Sequence, residues 1–191
     1  MLMIKKIKNK LSIIYKTKIK HQSMDEINNE RYRKAGIAIG ENCIFCSPLP
    51  VWRDSFLLSF GDNVLVSGNV TFLLHDAAPT TVSDGIGTDI LGRITIGSSC
   101  FIGANSTIMP GVTLADYTVV GAGSVVTHSI DQPGVVIAGN PARVVCTVEE
   151  YINKNKDKLV NLDGMRMNDI SAYVDQNPDK LLKRRSFKIE K

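Results

Sequence analysis

From residue 90 onward the chain can be cut into consecutive sixes: ILGRIT, IGSSCF, IGANST, IMPGVT, LADYTV, VGAGSV, VTHSID. The first position is always a bulky aliphatic: Ile90, Ile96, Ile102, Ile108, Leu114, Val120 and Val126. The fifth is small or aliphatic: Ile94, Cys100, Ser106, Val112, Thr118, Ser124 and Ile130. Gly or Ala follows the leading residue in four of the seven. A period of six matches neither the 3.6 of a helix nor the two-residue alternation of a strand. It fits a chain that bends after each short strand, so that three strands close one coil of about eighteen residues. The leading aliphatics then point inward and stack from coil to coil, since the inner faces of such parallel sheets are buried. The fifth position falls at a crowded corner, and the glycines after the lead are expected to supply unusual dihedrals.

The same phase runs upstream. IGENCI, FCSPLP and VWRDSF start at Ile39, Phe45 and Val51; after a shift of three, FGDNVL, VSGNVT and FLLHDA start at Phe60, Val66 and Phe72. The interval from Phe72 to Ile96 is 24 residues, again a multiple of six. The pattern predicts a mainly β chain, with a parallel β-helix of hexapeptide repeats over residues 37–147 and a loop pushed out near 76–89. A basic helical arm over 1–36 precedes it. A helix and a basic tail over 148–191 follow, with helix expected at 148–159 and loose order beyond Asn161.

Composition narrows the function classes. At 191 residues and 43% hydrophobic content the chain can bury one domain core, and no apolar run reaches membrane-spanning length. Net charge is +4, but residues 1–20 carry seven lysines and residues 180–191 a further +5, which leaves 21–179 at −8. An acidic middle speaks against a nucleic-acid-binding core. No secretory signal follows the N-terminal lysines, so the expected compartment is the cytoplasm. Cys43 and Cys46 have CxxC spacing without a second pair or a nearby histidine, so no zinc site is expected, and the four cysteines are read as reduced thiols. Ile4, Ile7, Leu11 and Ile14 recur at helical spacing among the lysines. That cationic amphipathic helix suits either packing against the first coil or a neighbouring subunit, or peripheral contact with an anionic membrane.

The stretch from Phe60 to Val145 resembles the hexapeptide-repeat O-acetyltransferases. The residues that carry it are FGDNVLVSGNVTFLLHD, ITIGSSCFIGANSTIMPGVTLADYTVVGAGSVVTHSI and VVIAGNPARVV. The branch it looks closest to comprises the maltose, galactoside, nodulation-factor and capsular-polysaccharide sugar acetyltransferases. The resemblance implies left-handed winding and a homotrimer whose active sites lie between neighbouring β-helices, with acetyl-CoA as co-substrate and no metal. It places the catalytic histidine on His75 and the CoA contacts on Ala104, Ala122, Thr127, His128 and Arg143. The Gly103–Ala104 turn becomes the expected oxyanion donor. The sugar-binding Asn and Asp of the galactoside enzymes have no match, and a second basic CoA contact is Cys146 here.

The chemistry suits these residue types. O-acetyl transfer needs a base for the attacking hydroxyl, and imidazole is matched to that task near neutrality. Asp76 either orients the imidazole or stabilises its own turn. Arg143, after Gly139-Asn140-Pro141, is the fork-shaped partner for CoA phosphates. The expected reaction is acetylation of a sugar hydroxyl, on a small or lipid-linked acceptor, in capsule or O-antigen synthesis. The alternatives are a xenobiotic acetyltransferase, a serine acetyltransferase (for which 35 N-terminal residues are short) and a non-catalytic β-helix scaffold. A β-helix carbonic anhydrase needs three converging histidines, and His21 lies before the first coil.

Overall fold

A computed structural model describes residues 23–183. The lysine-rich segment 1–20 and most of the basic tail therefore lie outside the described residues. The chain divides between Val148 and Glu149 into two compact units.

The first unit opens on helix α1 (Met24–Lys34), capped by Ser23, whose hydroxyl accepts the Glu26 N–H at 3.1 Å. Arg33 ties this helix to the first coil by donating to the carbonyls of Ile39 and Gly40. Then follow β1 (Ala38–Ile39), β2 (Ile44–Phe45), β3 (Leu58–Phe60), β4 (Leu65–Val66) and β5 (Thr71–Phe72). A projecting arm carries β6 (His75–Asp76), the short helix α2 (Pro79–Val82) and β7 (Ile90–Leu91). The regular run resumes with β8 (Ile94–Ile96), β9 (Phe101–Ile102), β10 (Thr107–Ile108), β11 (Thr113–Leu114), β12 (Val119–Val120) and β13 (Val125–Val126). It closes on β14 (Val135–Gly139) and β15 (Ala142–Thr147).

These strands fall into three parallel sheets that the chain visits in rotation. The first is β1-β3-β8-β11, the second β2-β4-β9-β12-β14 with β15 added antiparallel, and the third β5-β10-β13. In the regular coils each strand pairs with the one eighteen residues on: Thr95 with Thr113, Phe101 with Val119, Thr107 with Val125. The six-residue period is therefore one side of a three-sided coil.

The ladder is buried as its spacing demands. Ile96, Ile102, Ile108, Leu114, Val120 and Val126 are each at most 1% exposed. Each such burial contributes roughly 1.5–3 kcal/mol. Buried fifth-position hydroxyls bond to backbone carbonyls: Ser106 and Ser124 to Gly121, Thr118 to Ala115. Toward the N-terminal end the core turns aromatic, with Phe45, Phe60 and Phe72 packed edge-to-face at 5.0 and 5.4 Å.

Several details differ from the sequence pattern. Ile90 is in phase but 59% exposed, because it belongs to the arm. Its phase follows from the size of the insertion. Thr71 pairs with Thr107 thirty-six residues on, so the arm adds eighteen residues, itself three sixes. The arm also spans a little more than 76–89, since β6 and β7 pair His75 with Leu91 and Asp76 with Ile90. Val51 leads no strand and is exposed.

The glycines after the lead have a different reason from the expected one. A Cβ on Gly97 would stand 2.7 Å from the Asp116 backbone nitrogen, and one on Gly103 2.5 Å from that of Ala122. These positions are glycine because the next coil stacks directly on them. The left-handed dihedral sits two residues later, at position four: Asn42, Asn63, Asn69, Ser99, Asn105, Gly111, Tyr117 and Gly123 all have φ between 54° and 84°.

The second unit, from Glu149, takes in most of α3 (Val148–Asn155) and contains α4 (Met167–Gln176). Asp169 accepts the Arg166 N–H at 3.0 Å and so closes the start of α4. Lys180 Nζ donates to the Asp157 carbonyl at 3.0 Å. Over its described part, 162–183, the region beyond Asn161 is thus more ordered than its weak periodicity suggests. No described helix is long and apolar enough to cross a membrane.

Candidate active site

Two segments depart from the regular coil, and they stack. Between β2 and β3 the chain runs through 46–57 as an irregular stretch ending in a 3-10 turn, Ser55–Leu57. One coil later, the arm leaves after β5 at His75. The local register between these coils is 21 residues, as Ala38 pairs with Ser59 and Ile44 with Leu65. Asp54 and His75 are separated by the same interval, and each holds position four of the third hexapeptide in its coil. Elsewhere position four makes the left-handed corner. Asp54 has φ −105° and His75 lies in extended β6, so both give up the corner and project a side chain instead.

The two side chains meet. His75 Nδ1 lies 2.5 Å from Asp54 Oδ2, with the imidazole side chain 37% exposed and the carboxylate 10%. A nearly buried carboxylate facing Nδ1 fixes the ring and selects the tautomer with hydrogen on Nδ1. Nε2 is then left as the basic nitrogen. The pair forms a shared wall between two cavities. One, about 270 Å³, is bounded by Pro50, Trp52, Thr71 and Leu73. The other, about 430 Å³, is bounded by Arg53, Phe56, Thr88, Asp89 and Leu91.

Asp76 is not the carboxylate on the imidazole. Its Oδ1 accepts the Ala78 N–H at 2.9 Å and closes the turn that starts the arm. The extended backbone sends adjacent side chains to opposite sides, so Asp76 faces away from His75. Local sequence pattern does not single out Asp54, because its contact with His75 forms only once coils are stacked. The signal was nevertheless present in the register: an acid at 54 and a base at 75, one coil apart and in equal phase.

The remaining expected residues occupy other places. Thr127 and His128 follow β13 as His75 follows β5, on the same edge with β10 between, two strand spacings or roughly 10 Å along the stack. The Thr127 hydroxyl and His128 Nδ1 are 2.8 Å apart. Gly103, Ala104 and Ala122 lie on a different edge, between the second and third sheets, where Gly123 N–H donates to Ala104 O at 2.8 Å. Gly103 N–H is occupied by Val120 O, which leaves Ala104 N–H as the donor this turn can offer. Arg143 is exposed on β15, with Nη1 on the neighbouring Ala142 carbonyl. One chain therefore brings His75 onto the edge of Thr127 and His128, but not onto that of Ala104 and Ala122.

Comparison with known proteins places the chain in a family and agrees with its fold. The family described as bacterial transferase hexapeptide (six repeats) matches residues 93–128. Protein CapG of Staphylococcus aureus is 37% identical over 154 residues, 78% of this chain and 87% of CapG. Galactoside O-acetyltransferase of Escherichia coli (strain K12) is 39% identical over 97 residues, 51% of this chain and 47% of that protein. The chain thus spans most of CapG but only about half of the galactoside enzyme. The crystal structure of the hexapeptide-repeat-containing acetyltransferase VCA0836 from Vibrio cholerae superposes with a TM-score of 0.51 at 23% identity. That match covers 66% of this chain and 83% of the other, and speaks for the fold alone.

Proposed function

This chain belongs to the hexapeptide-repeat acyltransferase family, and from that footing we propose that it moves an acetyl group from acetyl-CoA to a sugar hydroxyl with His75 as general base. The observation that carries the reading is the His75–Asp54 pair on the wall of two cavities, where the coil is interrupted. The name of the Escherichia coli relative, a galactoside O-acetyltransferase, supports a sugar as acceptor. The single HD followed by a loop, at His75-Asp76, resembles the polysaccharide-modifying branch and supports a role in capsule or O-antigen synthesis.

In this reading His75 Nε2 takes the proton of the acceptor hydroxyl as its oxygen attacks the thioester carbonyl carbon. Asp54 stabilises the imidazolium through Nδ1–H, and Ala104 N–H stabilises the oxyanion. The tetrahedral centre collapses with loss of the C–S bond, and Nε2 returns its proton to the departing sulfur. No covalent acyl-enzyme forms, and no metal is used. Arg143 holds a CoA phosphate, with His128 and Thr127 along the same groove.

The left-handed winding and the homotrimer belong to this proposal. Within one chain His75 and Ala104 sit on different edges, which is the arrangement expected if neighbouring copies each supply part of a site. Contact of the N-terminal lysine-rich segment with an anionic membrane is a further element, read from its spacing alone. A xenobiotic acceptor is the second reading, favoured by the apolar side of the 270 Å³ cavity.

The test is thiol release from acetyl-CoA in the presence of a sugar panel and, separately, an antibiotic panel. Sugar-dependent release that His75→Ala lowers by about 10²–10⁴-fold is expected. Release that survives His75→Ala, or that needs an antibiotic, would overturn the proposal.

A further inference from the structure

The segment WRDSF delivers more than Asp54. Trp52 borders the cavity of about 270 Å³, on whose wall Asp54 and His75 also stand. The residue is 69% exposed, yet its backbone is pinned. Trp52 N–H donates to Ser55 Oγ at 2.7 Å, Ser55 N–H returns to the Trp52 carbonyl at 3.2 Å, and Ser55 is 1% exposed. The turn therefore fixes the backbone from which a large aromatic side chain stands in water. Such a ring forgoes the stabilisation of burial that its area could give.

We infer that Trp52 is the stacking platform for the acceptor, receiving the apolar C–H face of a pyranose ring. The inference rests on the sugar-transfer reading and adds to it which surface holds the ring and which sugars fit. A pyranose is amphipathic. Its axial C–H groups form an apolar face that matches the negative face of an indole, while its equatorial hydroxyls point sideways. A ring laid on Trp52 turns an edge hydroxyl toward His75. Because Asp54 engages Nδ1, the nitrogen that meets this hydroxyl is Nε2. Leu73 and Pro50 supply apolar wall, and Thr71 a hydroxyl, the mixture of apolar lining and few polar groups typical of small-molecule sites. The class of acceptor is a pyranoside with three C–H groups on one face.

Trp52 is the single tryptophan of the chain, so intrinsic tryptophan fluorescence reports on this residue alone. The full chain is titrated with methyl hexopyranosides, hexosamines and nucleotide-linked sugars, and separately with CoA, and the same sugars are assayed as acceptors. The free protein is expected to emit as a solvent-exposed indole. The sugar that is acetylated quenches this emission near its own KM, and CoA leaves it unchanged. Trp52→Ala raises the KM for that sugar about tenfold while the KM for acetyl-CoA holds within about twofold, and Trp52→Phe recovers most of the loss.

Three results overturn the stacking role alone: quenching by CoA but not by sugar, an unchanged sugar KM in Trp52→Ala, or emission already typical of a buried indole because a second copy covers the ring. Absence of acetylation of every sugar in the panel would instead overturn the sugar-transfer reading, and this inference with it.

Discussion

The regular coils over 94–126 and the interrupted coils over 39–91 are built on the same three sheets, yet they do different things. In the regular coils every corner uses position four in the left-handed region, every lead is a buried aliphatic, and the outside carries little beyond corners. The interrupted coils abandon a pair of corners on one edge, the first for an irregular turn and the second for an eighteen-residue arm. Those corners lie on adjacent coils, so the groups they release, Asp54 and His75, meet. Regularity supplies stiffness, and the same stiffness makes departures on one edge land side by side. The aromatic packing of Phe45, Phe60 and Phe72 lies in the interrupted coils, where fewer aliphatic leads are available to fill the interior.

The contrast is most exposed to test at residues that share sequence phase but differ in place. Ile102→Ala opens a cavity in the ladder and is expected to cost about 2–5 kcal/mol in denaturant unfolding. Ile90→Ala, equal in phase but exposed on the arm, should stay within about 0.5 kcal/mol. Equal costs would put the arm back in the coil. The two acids near the histidine come next. Asp54→Asn is expected to lower kcat about a hundredfold, through loss of tautomer and orientation. Asp76→Asn should leave it within about twofold, since that carboxylate holds only its own turn. A reversed order would contradict the assignment.

Smaller effects bear on the corner rule. Tyr117 carries φ 58° without being Gly or Asn, so Tyr117→Gly is expected to raise stability by about 1 kcal/mol or slightly less. A loss instead would mean that its exposed ring has a partner. The smallest effect is chemical. Burial raises the thiol pKa of Cys43 and Cys100, which keeps them protonated at mildly alkaline pH. Exposed Cys46 should therefore alkylate first, and mass mapping should find Cys43 and Cys100 modified only on unfolding.

Most of the fold could be read from the sequence because each coil repeats the same steric problem. A bulky residue must point in, a side-chain-free one must lie under the next coil, and the chain must turn. The ladder from Ile96 to Val126 declares itself for that reason, and so does the break at His75. Periodicity misleads where it carries no information about place. Ile90 stays in phase because the insertion is three sixes long. Glycines at position two look like turn residues, although most of the turns are made by asparagines and other residues that a search for glycine overlooks. Asp54 requires knowing which residues stack, a tertiary fact that local pattern does not show until the register is drawn. Arg143 and His128 are legible only as resemblance, and the fold of one chain leaves His128 on a different edge from Ala104.

That Asp54 acts through His75 is the statement on which the site stands or falls, and a double-mutant cycle addresses it without intermediaries. The rate of sugar-dependent CoA release is measured for the wild type, Asp54→Asn, His75→Ala and the double variant. If the two residues form one device, the double variant is no slower than His75→Ala alone, because Asp54 has nothing left to orient. If instead the two losses multiply, the carboxylate works independently of the imidazole, and the assignment of the pair is wrong.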